Sequence, residues 1–77
     1  MPLRKKKITI DLCYDSGNRK YVALIRGWHK YPVRGCSRDL HLDCLLWADD
    51  WKRQHEAAFP NEKVHIIDDH HELSAVL

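Results

Sequence analysis

Three cysteines, six histidines and two adjacent aspartate pairs carry most of the reactive chemistry open to this 77-residue chain. Cys36, His41 and Cys44 are separated by four and two residues, and His70-His71-Glu72 offers further donors. Thiolate and imidazole are the donors of zinc sites, but such sites carry paired knuckle spacings that are missing here. The expectation is therefore no metal and no cofactor. Cys36 precedes an expected helix start, where the dipole favours thiolate; without an assigned base it is not a nucleophilic centre. Asp49-Asp50 and Asp68-Asp69 are neighbours in sequence, so their side chains diverge on a helix or strand. No GxSxG, P-loop, HExxH or Gly-rich dinucleotide pattern occurs, and a chain this short does not easily wall off a substrate pocket. The expectation is a protein that is not an enzyme, with no catalytic residues.

Charge is the stronger signal. Residues 1–38 hold ten Lys/Arg against two Asp/Glu, a net +8, while residues 39–77 hold three against nine, a net −6. The overall +2 hides this split. Such asymmetry steers association and repels wrong partners. The basic half interleaves cations with rings: Tyr14, Arg19, Lys20, Tyr21, Arg26, Trp28, His29, Lys30, Tyr31 and Arg34. Nucleic-acid-binding surfaces use that mixture, cations for phosphates and rings for bases. An acidic protein surface suits it equally. No RNA-recognition, KH or zinc-finger signature is present. Arg4-Lys5-Lys6-Lys7 is a basic run that begins in an N-terminal arm over residues 1–6, and such arms are commonly just solvated termini.

The elements that must position these residues follow from periodicity. Residues 7–14 alternate, with Ile8, Ile10, Leu12 and Tyr14 on one side, as a half-buried strand does. Asp15-Ser16-Gly17-Asn18 is a turn cluster. A second strand over 20–28 pairs in the register Tyr14–Tyr21, Leu12–Ala23, Ile10–Ile25. Residues 31–34 suit a short edge strand, where Pro32 is tolerated. Ser37 reads as the N-cap of a helix over 38–58, which Pro60-Asn61 ends. Residues 63–68 make a last strand, and 69–77 a polar turn with an apolar tail. The result is one α+β domain over 1–77: a small antiparallel sheet in β-β-(β)-α-β order with one long helix packed across it. No apolar run reaches the ~20 residues that span a bilayer. The sparse, odd cysteine count favours reduced thiols and a cytoplasmic location.

The helix has two apolar faces. Leu40, Cys44, Trp47, Ala48, Trp51, His55 and Ala58 form the core stripe at 100° per residue, which makes His55 a satisfied core or boundary histidine. Leu42, Leu45 and Leu46 lie on the back. Either Leu73, Val76 and Leu77 fold over them, or they are a dimer or partner patch.

The order hairpin, Gly-Cys turn, long helix, strand resembles the N-terminal module of HicB-type antitoxins. The resemblance is carried by Tyr21-Val22-Ala23-Leu24, Gly35-Cys36-Ser37 and Leu40, Cys44 and Ala48, with Arg34 where that family has Pro. Small phage-encoded inhibitors of host enzymes and defence systems are similar in size and layout. The resemblance implies a small protein that binds and blocks another protein. The function expected is thus a phage- or mobile-element-type inhibitor or regulator that occludes a host macromolecule. Its contact residues are expected to be Arg26, Trp28, Lys30, Tyr31 and Arg34, with Trp28 and Arg34 as hot spots by type. The expected partner is a protein with an acidic or nucleic-acid-binding surface, with no membrane and with homodimerisation through the leucines left open. Direct RNA or DNA binding by the same surface is the alternative.

Overall fold

The structure, a computed structural model, describes residues 6–76, and the side chains of 7–74. Residues 1–5 of the basic arm and Leu77 therefore lie outside the described residues, as do the side chains of Lys6, Ala75 and Val76. The element order is β1 (Lys6–Asp15), β2 (Lys20–Arg26), β3 (Val33–Arg38), α1 (His41–Ala58), β4 (Glu62–Glu72) and α2 (Leu73–Val76). The four strands form one sheet in the order β3-β2-β1-β4, and α1 packs across it. This is the expected α+β fold, with one correction to the sheet. It is mixed, not antiparallel: β2 runs against β1 and β3 against β2, but β4 lies parallel to β1. The reason is the helix. A strand that follows a helical crossover from β3 returns in the direction of β3, which is also the direction of β1.

The β1–β2 hairpin has the register that alternation dictates, Tyr14 opposite Tyr21, Leu12 opposite Ala23 and Ile10 opposite Ile25. Asp15 fixes its turn by accepting a 2.8 Å hydrogen bond from Asn18 Nδ2. Ile8, Ile10, Leu12, Ala23, Ile25, Cys36 and Val64 form the helix side of the core, closed by Cys44 and Ala48 of α1. The opposite side of the sheet holds a second, smaller cluster of Cys13, Val22, Leu24 and Leu73.

Several boundaries differ from the periodicity reading, and β2 ends at Arg26, two residues before the expected 28. β3 continues through Gly35, Cys36 and Ser37 to Arg38 and is longer than an edge fragment over 31–34. Ser37 therefore does not cap α1; Leu40 occupies the N-cap, with no side-chain cap bond. That places Leu40 outside the helix stripe and leaves it exposed. β4 runs four residues beyond 68, carried through a bulge described below.

Two contacts tie the end of α1 to the start of β4. Glu56 Oε2 accepts the Val64 N–H at 2.9 Å, and this bond holds the Glu56 carboxyl below the usual carboxylate range. His55 Nε2 lies 3.0 Å from Glu62 Oε1 while its ring stacks on Trp51 at 4.7 Å. His55 is thus the satisfied core histidine that its place on the apolar stripe implies.

Among the described residues, the tail does not cover the helix leucines; the side chain of Val76 and all of Leu77 lie outside them. Leu73 is 4% exposed, but against Cys13, Val22 and Leu24 on the far side of the sheet. Leu42 and Leu46 are left 59% and 58% exposed, and Leu45 instead packs against the main core. The helix-back patch is therefore smaller than the three leucines expected from a helical wheel. No described helix is long and apolar enough to cross a membrane.

Candidate functional site

The five expected contact residues do not form one surface. Alternation assigns Arg26 to the sheet face away from α1, where its Nε lies 3.0 Å from Asp11 Oδ2. Trp28 goes to the other side: its ring meets Trp51 at 5.2 Å and His55 at 6.4 Å, and it packs against the main core. Trp28 therefore closes the core edge. Lys30 and Tyr31 stay exposed in the β2–β3 connection, with the Lys30 ammonium 5.6 Å from the Tyr31 ring centre. Arg34 is exposed on β3, opposite Leu24, and so shares the face of Arg26.

Sheet pairing assembles a different and more continuous surface on that face. Ile8 and Ile10 point to the helix with their β4 partners Val64 and Ile66. The residues between them must then point away. Lys7 lies opposite Lys63, Thr9 lies between Arg26 and His65, and Asp11 lies between Leu24 and Ile67. With Arg34 beyond Leu24, cations from all four strands share one face. Among the described residues, no ion pair within 4 Å engages Lys7, Arg34 or Lys63. Leu73 and α2 cover one end of the face, whereas Lys7, Arg34, Lys63, His65 and Ile67 are exposed. Lys63 and His65 carry no signal alone in sequence. Alternation with Val64 and Ile66 puts them outward, but only the parallel pairing of β4 with β1 puts them beside Lys7 and Thr9.

The acidic helix back is more self-contained. Arg53 reaches Asp49 and Asp50, each at 3.4 Å, and Gln54 Nε2 donates to Asp50 Oδ2 at 2.6 Å. Lys20 is paired with Asp39 across the sheet edge.

The cysteines and histidines separate into two groups. Cys36 and Cys44 face each other in the core with their sulfurs 3.6 Å apart, and all three cysteines are free and buried. The Cys44 thiol, donating to the Cys36 thiolate, pulls Cys36 down to about 7 against the cost of burial, helped by Arg38 and the Ala23 N–H. The same pairing pushes Cys44 up, and burial pushes Cys13 up. Cys36 lies within β3, so its acidity comes from a thiol neighbour rather than from the helix dipole. One thiol proton should then leave the native protein with a midpoint near pH 7, seen as thiolate ultraviolet absorbance and abolished by Cys36→Ser. A depressed Cys36 value stabilises the fold increasingly as pH rises from about 7 towards the ordinary thiol value of 9.0, and this contribution is lost as pH falls through 7. Above 9.0 the raised Cys44 acts in the opposite direction.

His41, by contrast, meets Asp68 and His70. His41 Nε2 lies 2.7 Å and His70 Nε2 2.8 Å from the same oxygen, Asp68 Oδ1. The grouping of Cys36, His41 and Cys44 suggested by spacing is therefore split: the two thiols pair with each other, and the imidazole pairs elsewhere. The described residues enclose no pocket, so the candidate sites are surfaces. No family model, curated protein or solved structure matches the chain.

Proposed function

We propose that this is a non-enzymatic binding protein, an inhibitor or regulator of the phage or mobile-element type, which occludes a macromolecular surface with the open face of its sheet. The observation that supports this reading is the row-by-row alignment of Lys7, Arg26, Arg34, Lys63 and His65 across four strands, with Ile67 as an exposed apolar contact. Fixed on strands, these groups keep their spacing without ordering a loop on binding, which reduces the entropic cost of association. Complementarity then calls for an acidic partner surface. Lys30 and Tyr31 border the same sheet in the β2–β3 connection and extend the contact.

Occlusion of a protein is also what the resemblance to HicB-type antitoxins implies. The nucleic-acid alternative needs rings on the cationic face for bases to stack on. Tyr21 and Trp28 instead pack against the helix side of the core, and Tyr14 meets Tyr21 at 5.0 Å. That leaves His29, Tyr31 and His65 as exposed rings on or beside the face among the described residues, with Tyr21 and Trp28 withdrawn from it, which favours a protein partner. Affinity capture with wild type and with an Arg34→Glu/Lys63→Glu variant tests the reading. The double reversal should lose the acidic partner, and gel shifts on RNA and DNA at low salt should show no complex. Unchanged capture, or a nucleic-acid complex abolished by the same reversal, would count against it.

A further inference from the structure

We propose that His41, Asp68 and His70 form a binding site for a divalent transition metal of the zinc class, built where β4 bulges towards the start of α1. One ligand atom from each residue lies within 4.8 Å of the other two. Two imidazoles and a carboxylate are a donor set that zinc accepts, with ligand bonds of about 2.0–2.2 Å. Around a tetrahedral ion such bonds place donors about 3.3 Å apart. The present separations from Asp68 Oδ1 to the two Nε2 atoms are 2.7 and 2.8 Å, so opening by roughly half an ångström admits the ion.

The backbone brings these donors together. β4 is in step with β1 at Ile67 opposite Asp11 and again at His71 opposite Cys13, so residues 68–70 stand against Leu12 alone. As residues i and i+2, Asp68 and His70 share one side of the strand, and on that side both meet His41, the first residue of α1. His70 holds φ 55° within this bulge, a left-handed conformation that non-glycine residues adopt only at a cost. The two imidazoles lie 4.2 Å apart and 33° from parallel, with the Tyr21 ring against both at 5.6 and 6.0 Å. Both ring edges therefore present Nε2 to one point. The three side chains are 31%, 36% and 44% exposed, which leaves a coordination position facing solvent. Water would fill it in the free protein, as in three-ligand zinc sites. Bound metal would pin the start of α1, which has no side-chain cap, to the β4 bulge. Cys36 and Cys44 are engaged with each other and take no part.

Chelator-treated, reduced protein titrated with Zn²⁺ by calorimetry should bind one equivalent and melt at a higher temperature when loaded. Asp68→Asn and His70→Asn should each weaken binding at least tenfold, and Asn tolerates the left-handed backbone at position 70. Cys36→Ser should leave affinity unchanged. Co²⁺ in place of Zn²⁺ should give tetrahedral ligand-field bands without thiolate charge-transfer absorption. Wild-type protein that binds no Zn²⁺, affinity unmoved by both substitutions, or a Co²⁺ spectrum with thiolate bands would each overturn the assignment.

Discussion

Replacing Gly27 with alanine should destabilise the protein by about 3 kcal/mol, the sum of a strained backbone and a clash. Gly27 has φ 83°, where an L side chain is unfavourable by roughly 1–2 kcal/mol. A Cβ built there would stand 2.6 Å from the Lys7 carbonyl oxygen and 3.6 Å from Ile8 Cα. The oxygen is backbone, part of the strand that pairs with both β2 and β4, so it cannot swing aside as a side chain could. For a domain of this size such a loss lowers the melting midpoint by roughly 12–24 °C. The other two glycines calibrate the effect. A Cβ at Gly35 would stand 2.3 Å from the Trp47 ring, but that ring is only half-buried and can yield, so Gly35→Ala should cost about 1–2 kcal/mol. At Gly17 the nearest atom is Asp15 Oδ1 at 3.5 Å, an ordinary contact, and Gly17→Ala should stay within about 0.5 kcal/mol. Denaturant midpoints at unchanged slope measure all three. Equal losses at Gly27 and Gly17 would show that the β2–β3 connection does not pass over Lys7 as described.

The second large effect is on binding. Arg34→Glu/Lys63→Glu should weaken the complex by about 100-fold, roughly 2.7 kcal/mol, because each change both removes an attraction and adds a repulsion. Both side chains are exposed and lie outside the two apolar clusters, so folding should be nearly unaffected. The loss should shrink as salt rises, since exposed charges are screened over about 8 Å at physiological ionic strength. Reversal of Asp49 and Asp50 on the helix back should leave affinity within about threefold, since those carboxylates already answer to Arg53 and Gln54. Isothermal titration with the captured partner gives both numbers.

The hairpin was legible because its signal is local: strict alternation over β1, a turn cluster and β formers in β2 leave one register that buries Ile10 and Ile25 together. The core stripe of α1 was legible for the same reason at Cys44, Ala48 and His55. What periodicity does not contain is strand order. Whether β4 joins β1 or β3 depends on the crossover, and with it depends whether Lys63 and His65 stand beside Lys7 and Thr9. Bulges were equally invisible. Gly35 sits in one, where Cys36 pairs with Ala23 and Arg34 with Leu24, so a stretch that read as a turn and a cap continues as strand. Residues 68–70 sit in the other, where Asp68 and His70 meet His41, 27 residues before Asp68 in the chain. Residue type alone puts Trp28 among the contact residues, whereas its ring lies against Trp51. The leucine patch lacks Leu45, which joins the core, and lacks Leu73 of its expected cover, which fills the gap over Cys13, Val22 and Leu24 on the far side of the sheet.

The central claim is that the cationic sheet face is the working surface, and site-specific photo-crosslinking tests it most directly. A benzophenone side chain at position 65, amid the face, and one at position 49, on the helix back, differ only in which side of the molecule they report. Position 65 should give a protein adduct that excess wild-type protein competes away and nuclease leaves intact, with none from position 49. An adduct from position 49 alone, or a nuclease-sensitive adduct from position 65, would contradict it.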